Sequence, residues 1–345
     1  MDLKLAGLPL LPTTTVGSHG IPGWVHLARD EARRGALGSA DLAEVYDDAT
    51  KVALLDQERA GVDVVTDGEM RRLHFIQGFY EKLTGLRALG VDRRLGAVGY
   101  DQVPGYAVEA EVSAPGGLGI VAEFQYARGQ TQKPLKATCP GPLTLTLPVK
   151  EFGRYENRVA LAYAMAQTIN CELTALVDAG ATFIQLDEPS FSYFDVPPAM
   201  MADLINVATA GVNAKLAVHV CFGNFHGHPR TSRSYRRIFP GLLAANVDQF
   251  VLEYSNREMA EIDLWQDIGA DRELAIGVVD VKSYYPESAS DIADRIRLAL
   301  RYVPAEKLWI TSDCGFNHTP RHSCVAKLNA MVEGTRIVRQ ELAGR

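Results

Sequence analysis

Short apolar, β-branched runs recur along the chain, each ending in a polar or glycine-containing cluster and each followed by a longer segment of helical period. Eight stand out: Leu11–Ser18, Val62–Glu69, Leu135–Pro142, Phe183–Pro189, Leu216–Gly223, Phe250–Ser255, Ala275–Ser283 and Leu308–Gly315. Between them lie amphipathic stretches such as Ala40–Ala60, Arg158–Ala179, Ser288–Tyr302 and Cys324–Leu342, with apolar residues three and four positions apart. Strand then helix, eight times over, predicts an α/β fold of the (β/α)8 TIM-barrel type. A doubly wound sheet is the rival, but no Gly-x-Gly-x-x-Gly follows any run. From about residue 90 to 133 the rhythm breaks: glycines and prolines separate the alternating runs Tyr106–Val112 and Gly119–Tyr126. This predicts a hairpin insertion between the second and third barrel strands, within a single domain spanning residues 1–345.

Composition narrows the function. The 345 residues are 47% hydrophobic and 22% charged, which excludes disorder. Lys+Arg 35 against Asp+Glu 42 leaves a net charge of −7, no footprint for nucleic acid or an anionic membrane, so small-molecule chemistry is expected. No apolar stretch reaches the ~18 residues of a membrane span and the amino terminus lacks a signal-peptide pattern, so a cytoplasmic enzyme is expected, with self-association left open. Five scattered cysteines make a poor disulfide framework and suit free thiols or metal ligands.

Barrel active sites gather at the carboxyl ends of the strands. Here those ends carry Ser18, Asp67 and Glu69, Cys139, Asp187 and Glu188, His219 and Cys221, Glu253, Asp280 and Lys282, Asp313 and Cys314. His219 and Cys221, two apart on a strand, point to one side, and neighbouring strand ends can add Glu253 and Cys314. Two thiolates, an imidazole and a carboxylate would make a soft, tetrahedral zinc site; the competing reading is that these cysteines are small buried hydrophobes. For Glu69 and Asp187 the plain readings are an ion pair with Arg71 or Arg72 and a helix cap. Cys139, Cys171 and Cys324 are expected to pack. His226, His228 and Arg230 follow the fifth strand, where they either line a donor pocket or face water.

These residues resemble the carboxyl-terminal catalytic domain of cobalamin-independent methionine synthase and its short relatives. The match runs from Leu11-Pro12-Thr13-Thr14-Thr15-Val16-Gly17-Ser18 through Gly68-Glu69, Pro140-Gly141-Pro142-Leu143-Thr144, Ile184-Gln185-Leu186-Asp187-Glu188-Pro189, His219-Val220-Cys221 and Glu253 to Asp313-Cys314-Gly315. The resemblance implies a zinc-dependent thiol S-methyltransferase that activates homocysteine and forms methionine. It implies zinc ligands His219, Cys221, Glu253 and Cys314, and a grip on the amino-acid end of homocysteine by Val16, Gly17, Ser18, Glu69 and Asp187.

Two positions depart from that pattern. The family's folate-stacking tryptophan falls at Pro148, and its Asp-x-His-Ser segment appears as Asp280-Val281-Lys282-Ser283. Asp280 and Lys282 therefore become the candidate catalytic pair, while the alkyl donor stays open among a folate, methylcobalamin and an epoxide. Epoxyalkane:coenzyme M transferases resemble the same family, and Lys282 would suit an alkoxide formed on epoxide opening. Plain ion pairing of Lys282 with Asp280 or Asp313 is the competing reading. An inactive zinc-binding protein is the remaining, weaker alternative.

Overall fold

The computed structural model describes residues 3–72, 75–90, 105–224, 231–268 and 271–344. Six parallel strands pair in chain order: Ala137–Pro140, Phe183–Asp187, Lys215–Val220, Gln249–Leu252, Glu273–Val279 and Leu308–Ser312. The ring is completed by two shorter extended segments. Thr13 bridges Ile310, Thr14 bridges Val64, and Val65 bridges Leu135, all in parallel. Backbone bonds seal these seams, from Thr14 N to Ile310 O (2.9 Å), Val64 N to Thr13 O (3.0 Å) and Lys136 N to Val65 O (2.9 Å). All eight expected runs are therefore staves of one (β/α)8 barrel.

Local chemistry sets the helices around it. The helix Ser39–Ala60 stops at Gly61, which is left-handed (φ 86°), and Asn157 starts Arg158–Asp178 by accepting from Val159 N and Ala160 N. Inside the ring, Val16, Val64, Phe183, Ala217, Val251, Ala275 and Trp309 form one apolar plug, while a second core lies between the staves and the helices. Every residue of Phe183–Asp187 is buried, as expected of a strand covered on both faces. Among the described residues, no helix is long and apolar enough to cross a membrane.

The insertion differs from its expected form. Its hairpin begins earlier, with Thr84–Ala88 antiparallel to Tyr106–Ser113, which also pairs in parallel with Val149–Glu151. The second alternating run is a helix, Ile120–Arg128. Ile120, Phe124 and Ala127 bury at helical spacing there, a period masked in the sequence by the β propensity of isoleucine, valine and phenylalanine. A tertiary contact fixes the choice: the buried Glu172 carboxylate accepts from Leu118 N (2.6 Å), Ile120 N (2.7 Å) and Val121 N (3.1 Å), capping the helix from outside its own segment. Residues 91–104 of the expected insertion lie outside the described residues.

Replacing Glu172 with alanine orphans three buried or half-buried N–H groups, and the expected loss is about 3 kcal/mol of unfolding free energy. Denaturant melts should show this loss; a change below about 1 kcal/mol would remove Glu172 as the anchor of the insertion.

Candidate active site

At the carboxyl end of the barrel the His219, Cys221 and Cys314 ligand atoms lie within 4.8 Å of one another. Lys215–Val220 brings up His219, with Cys221 directly after it, and Cys314 follows Leu308–Ser312. His219 Nδ1 lies 3.0 Å from Val251 O, and that acceptor makes Nδ1 the protonated nitrogen. Nε2 is then a lone-pair donor, and it is buried with no hydrogen-bond partner among the described residues. The two sulfurs are 3.5 Å apart, sharing a hydrogen bond and not joined as a disulfide. The Cys221–Cys314 hydrogen bond lowers the Cys314 thiol well below its usual range, helped by His219 and Lys282, and raises Cys221. An orphaned imidazole nitrogen and two proton-sharing thiols make a soft donor set that fits zinc.

Glu253 stands beside this trio rather than within it. Its Oε1 is 2.8 Å from Lys282 Nζ, an ion pair whose angles fall outside hydrogen-bond geometry, and its Oε2 accepts from Phe222 N (3.2 Å). Burial opposes the charge on Lys282, but Glu253 and Asp313 outweigh it and hold the ammonium above its ordinary pKa. Lys282 is therefore not paired with Asp280. Asp280 Oδ1 instead accepts from the Lys282 backbone N (2.8 Å) and its Oδ2 from Asn256 Nδ2 (3.1 Å). The strand ends at Val279, so both residues sit in the following turn rather than alternating on an inward strand face. Asp313 accepts from Tyr254 N, Ser255 N and Asn256 N, anchoring the backbone just past Glu253.

Asp187 and Glu69 border the same mouth. Asp187 is the register partner of His219 on the adjacent strand. Burial raises its carboxyl well above the usual range, Glu69 adds to the shift, and Gln185 Nε2 donates to its Oδ1 (2.7 Å). It caps no helix, because the turn Pro189–Ser192 follows Glu188. Glu69 has a left-handed backbone (φ 55°), a strained conformation for a residue with a side chain. Its Oε1 accepts from Arg72 Nη1 (3.1 Å) and Thr138 Oγ1 (2.8 Å), which realises the ion-pair reading. Arg71 pairs with Asp47 instead. Gly17 needs to lack a side chain, because a Cβ there would sit 2.5 Å from Glu69 Oε1. The carbonyls of Val16, Gly17 and Ser18 are all occupied, by Gln185 Nε2, Thr66 Oγ1 and Phe316 N respectively.

The remaining cysteines divide. Cys139 packs as expected, and burial pushes its thiol well up. Cys171 is exposed on its helix, contrary to expectation, because it falls on the solvent face of Arg158–Asp178. Cys324 is buried but not merely packed, since its sulfur lies 3.3 Å from His19 Nδ1. Sequence reasoning missed His19, whose Nε2 is 3.0 Å from Asp56, itself bound by Arg321 through two bonds of 2.7 and 2.8 Å. No spacing signal links residues 19, 56, 321 and 324; only the barrel's closure does. His226, His228 and Arg230 lie outside the described residues.

Burial acts to lower the His19 pKa, but Cys324 and Asp56 raise it to about 9, while burial acts to raise Asp56 and its partners lower it to about 2. A raised folded-state histidine pKa stabilises fully below the unfolded value of about 6.5 and ceases to do so above the folded value. The stability advantage of the parent over His19→Gln should therefore be greatest below pH 6.5 and shrink as pH rises to about 9. Urea melts across that window check it, and a difference independent of pH would refute a charged His19.

Comparison with known proteins places this geometry. The family described as the cobalamin-independent synthase catalytic domain matches residues 11–336. The methionine synthase of Saccharolobus solfataricus is 35% identical over 340 residues, covering 98% of each chain, and that of Sulfurisphaera tokodaii is 35% identical over 98% of this chain and 95% of its own. A solved B12-independent methionine synthase from Shewanella sp. W3-18-1, in complex with selenomethionine, superposes with a TM-score of 0.84 at 30% identity, covering 97% of this chain and 100% of that one. With relatives this similar along nearly their whole length, the chain belongs to the cobalamin-independent methionine synthase family and is a methyltransferase.

Proposed function

We propose that the protein methylates the sulfur of homocysteine, yielding methionine, with residues 1–345 acting as one zinc barrel domain. The observation that carries this reading is the meeting of a soft His219–Cys221–Cys314 cluster and two buried carboxylates, Asp187 and Glu69, at one barrel mouth. His219, Cys221 and Cys314 would hold zinc, with Glu253 as the carboxylate beside them that completes the donor set. Zinc, when bound, supplies a Lewis acid that makes a thiol available as thiolate near neutral pH.

The protein's own residues would supply orientation. Burial raises the Asp187 pKa in spite of the nearby His219 and Lys136, and the α-ammonium of homocysteine would add a direct ion pair to this carboxylate. Glu69 has one oxygen committed to Arg72 and Thr138, leaving the other for the same ammonium. The Val16–Ser18 carbonyls being occupied, that segment offers its N–H groups, which suit the substrate carboxylate. Asp187 and His219 are register partners on adjacent strands, which places the carboxylate next to the soft cluster, as an amino acid carrying its thiol on a short chain requires. Lys282, held by Glu253, keeps a fixed positive charge beside the sulfur ligands, where we assign it and Asp280 to the donor side of the reaction. The two carboxylates would repel the sulfonate of coenzyme M, which ranks the epoxide reaction second.

Cys221→Ser and Cys314→Ser should each lose most bound zinc by elemental analysis and lose methyl transfer; full zinc retention in both would remove them from the donor set. Asp187→Asn should weaken homocysteine binding by about 1.5–3 kcal/mol, roughly ten- to a hundredfold or more, with donor affinity unchanged. Titration calorimetry reads both, and turnover of coenzyme M with an epoxide but not of homocysteine with any methyl donor would overturn the assignment.

A further inference from the structure

Lys136 precedes the strand Ala137–Pro140 and is buried to 1% exposure. Its Nζ donates to Thr15 O (2.7 Å) and to Gln185 Oε1 (2.6 Å) and lies 5.6 Å from the Phe183 ring centroid. Gln185 is fully buried and donates in turn through Nε2 to Val16 O and to Asp187 Oδ1, both at 2.7 Å. Nζ donates to Gln185 Oε1 and the Val16 carbonyl can only accept, so together they fix which way the Gln185 amide points. The reversed amide would turn its oxygen to Val16 O and Asp187 Oδ1 and give up the bond that Oε1 accepts from Lys136. Burial lowers the Lys136 pKa to about 7 against the opposing pull of Asp187 and Glu69, so those charges offset only part of the cost of the buried amine, and its two acceptors, Thr15 O and Gln185 Oε1, hold it in place. One side chain thus ties the Thr15–Ser18 segment to the end of the Phe183–Asp187 strand.

We propose that Lys136 is a positioning residue for the amino-acid end of the thiol substrate: through Gln185 it sets the distance between Asp187, which accepts the ammonium, and the Val16–Ser18 segment, which binds the carboxylate. The inference rests on the homocysteine reading above. It also assigns specificity, because a thiol lacking either charged group gains nothing from that spacing.

The test compares homocysteine with 4-mercaptobutyrate, which lacks the amine, and 3-mercaptopropylamine, which lacks the carboxylate, on the full zinc-loaded chain. The parent should prefer homocysteine by roughly tenfold or more over both analogues. Lys136→Met should abolish that preference through a roughly tenfold or greater rise in homocysteine KM, with analogue affinities and zinc content unchanged. Gln185→Glu, isosteric and charge-matched to Lys136, should do the same and carries the test if Lys136→Met does not fold. A parent without the preference defeats the homocysteine reading itself. A parental preference retained to within about twofold in either folded variant overturns the role of Lys136 alone, and loss of cooperative melting in both variants assigns Lys136 to the core and overturns it too.

Discussion

Burying charge at the mouth of a barrel is costly unless each charge is answered by a partner or by directed hydrogen bonds, and in this protein that constraint organises everything around the site. Glu69 is met by Arg72, which also holds Glu123 and donates to Thr138 O. Glu253 is met by Lys282, and Asp313 by three backbone N–H groups. Glu188 accepts from Leu143 N, Thr144 N and Thr144 Oγ1, pinning the short helix Pro142–Leu145 against the Phe183–Asp187 strand. Arg72 answers Glu69 from the same turn but reaches across to Thr138, and the other answers come from a different strand or turn, so the polar network also ties neighbouring strand ends together.

Such a network favours binding over stability. Side chains whose rotamers are locked by buried partners lose little entropy when a substrate arrives, and donors already aimed need no reorganisation. The cost is visible in the strained backbone of Glu69 and in buried carboxyls held far from their ordinary pKa values. Strain and perturbed acidity concentrate on the face where the soft His219–Cys221–Cys314 cluster lies, while the opposite interior is the apolar plug around Phe183 and Trp309. The barrel is thus divided along its axis into a stabilising end and a reactive one.

Period and punctuation in the sequence were enough to place all eight staves and the long helices, because a strand covered on both faces must be apolar and a helix must stop where glycine allows it. Residue type at the strand ends was enough to nominate the sulfur and imidazole groups of the His219–Cys221–Cys314 cluster, since side chains two apart on a strand share a face. The run Gly119–Tyr126 shows where this fails. Its β-prone residues alternate, yet Glu172, about fifty positions away, satisfies the N–H groups that a helix start leaves open.

The same distinction separates site residues. Eight staves, a polar carboxyl end and a His-x-Cys pair are local properties, legible from order and spacing alone. The pairing of Lys282 with Glu253 rather than Asp280, of Glu69 with Arg72 while Arg71 takes Asp47, and the His19–Asp56–Arg321–Cys324 cluster are choices among several partners of suitable charge. Spacing cannot make those choices. Ring closure brings His19 and Cys324, 305 positions apart, into contact, and which buried charge meets which is decided by the distances that closure creates.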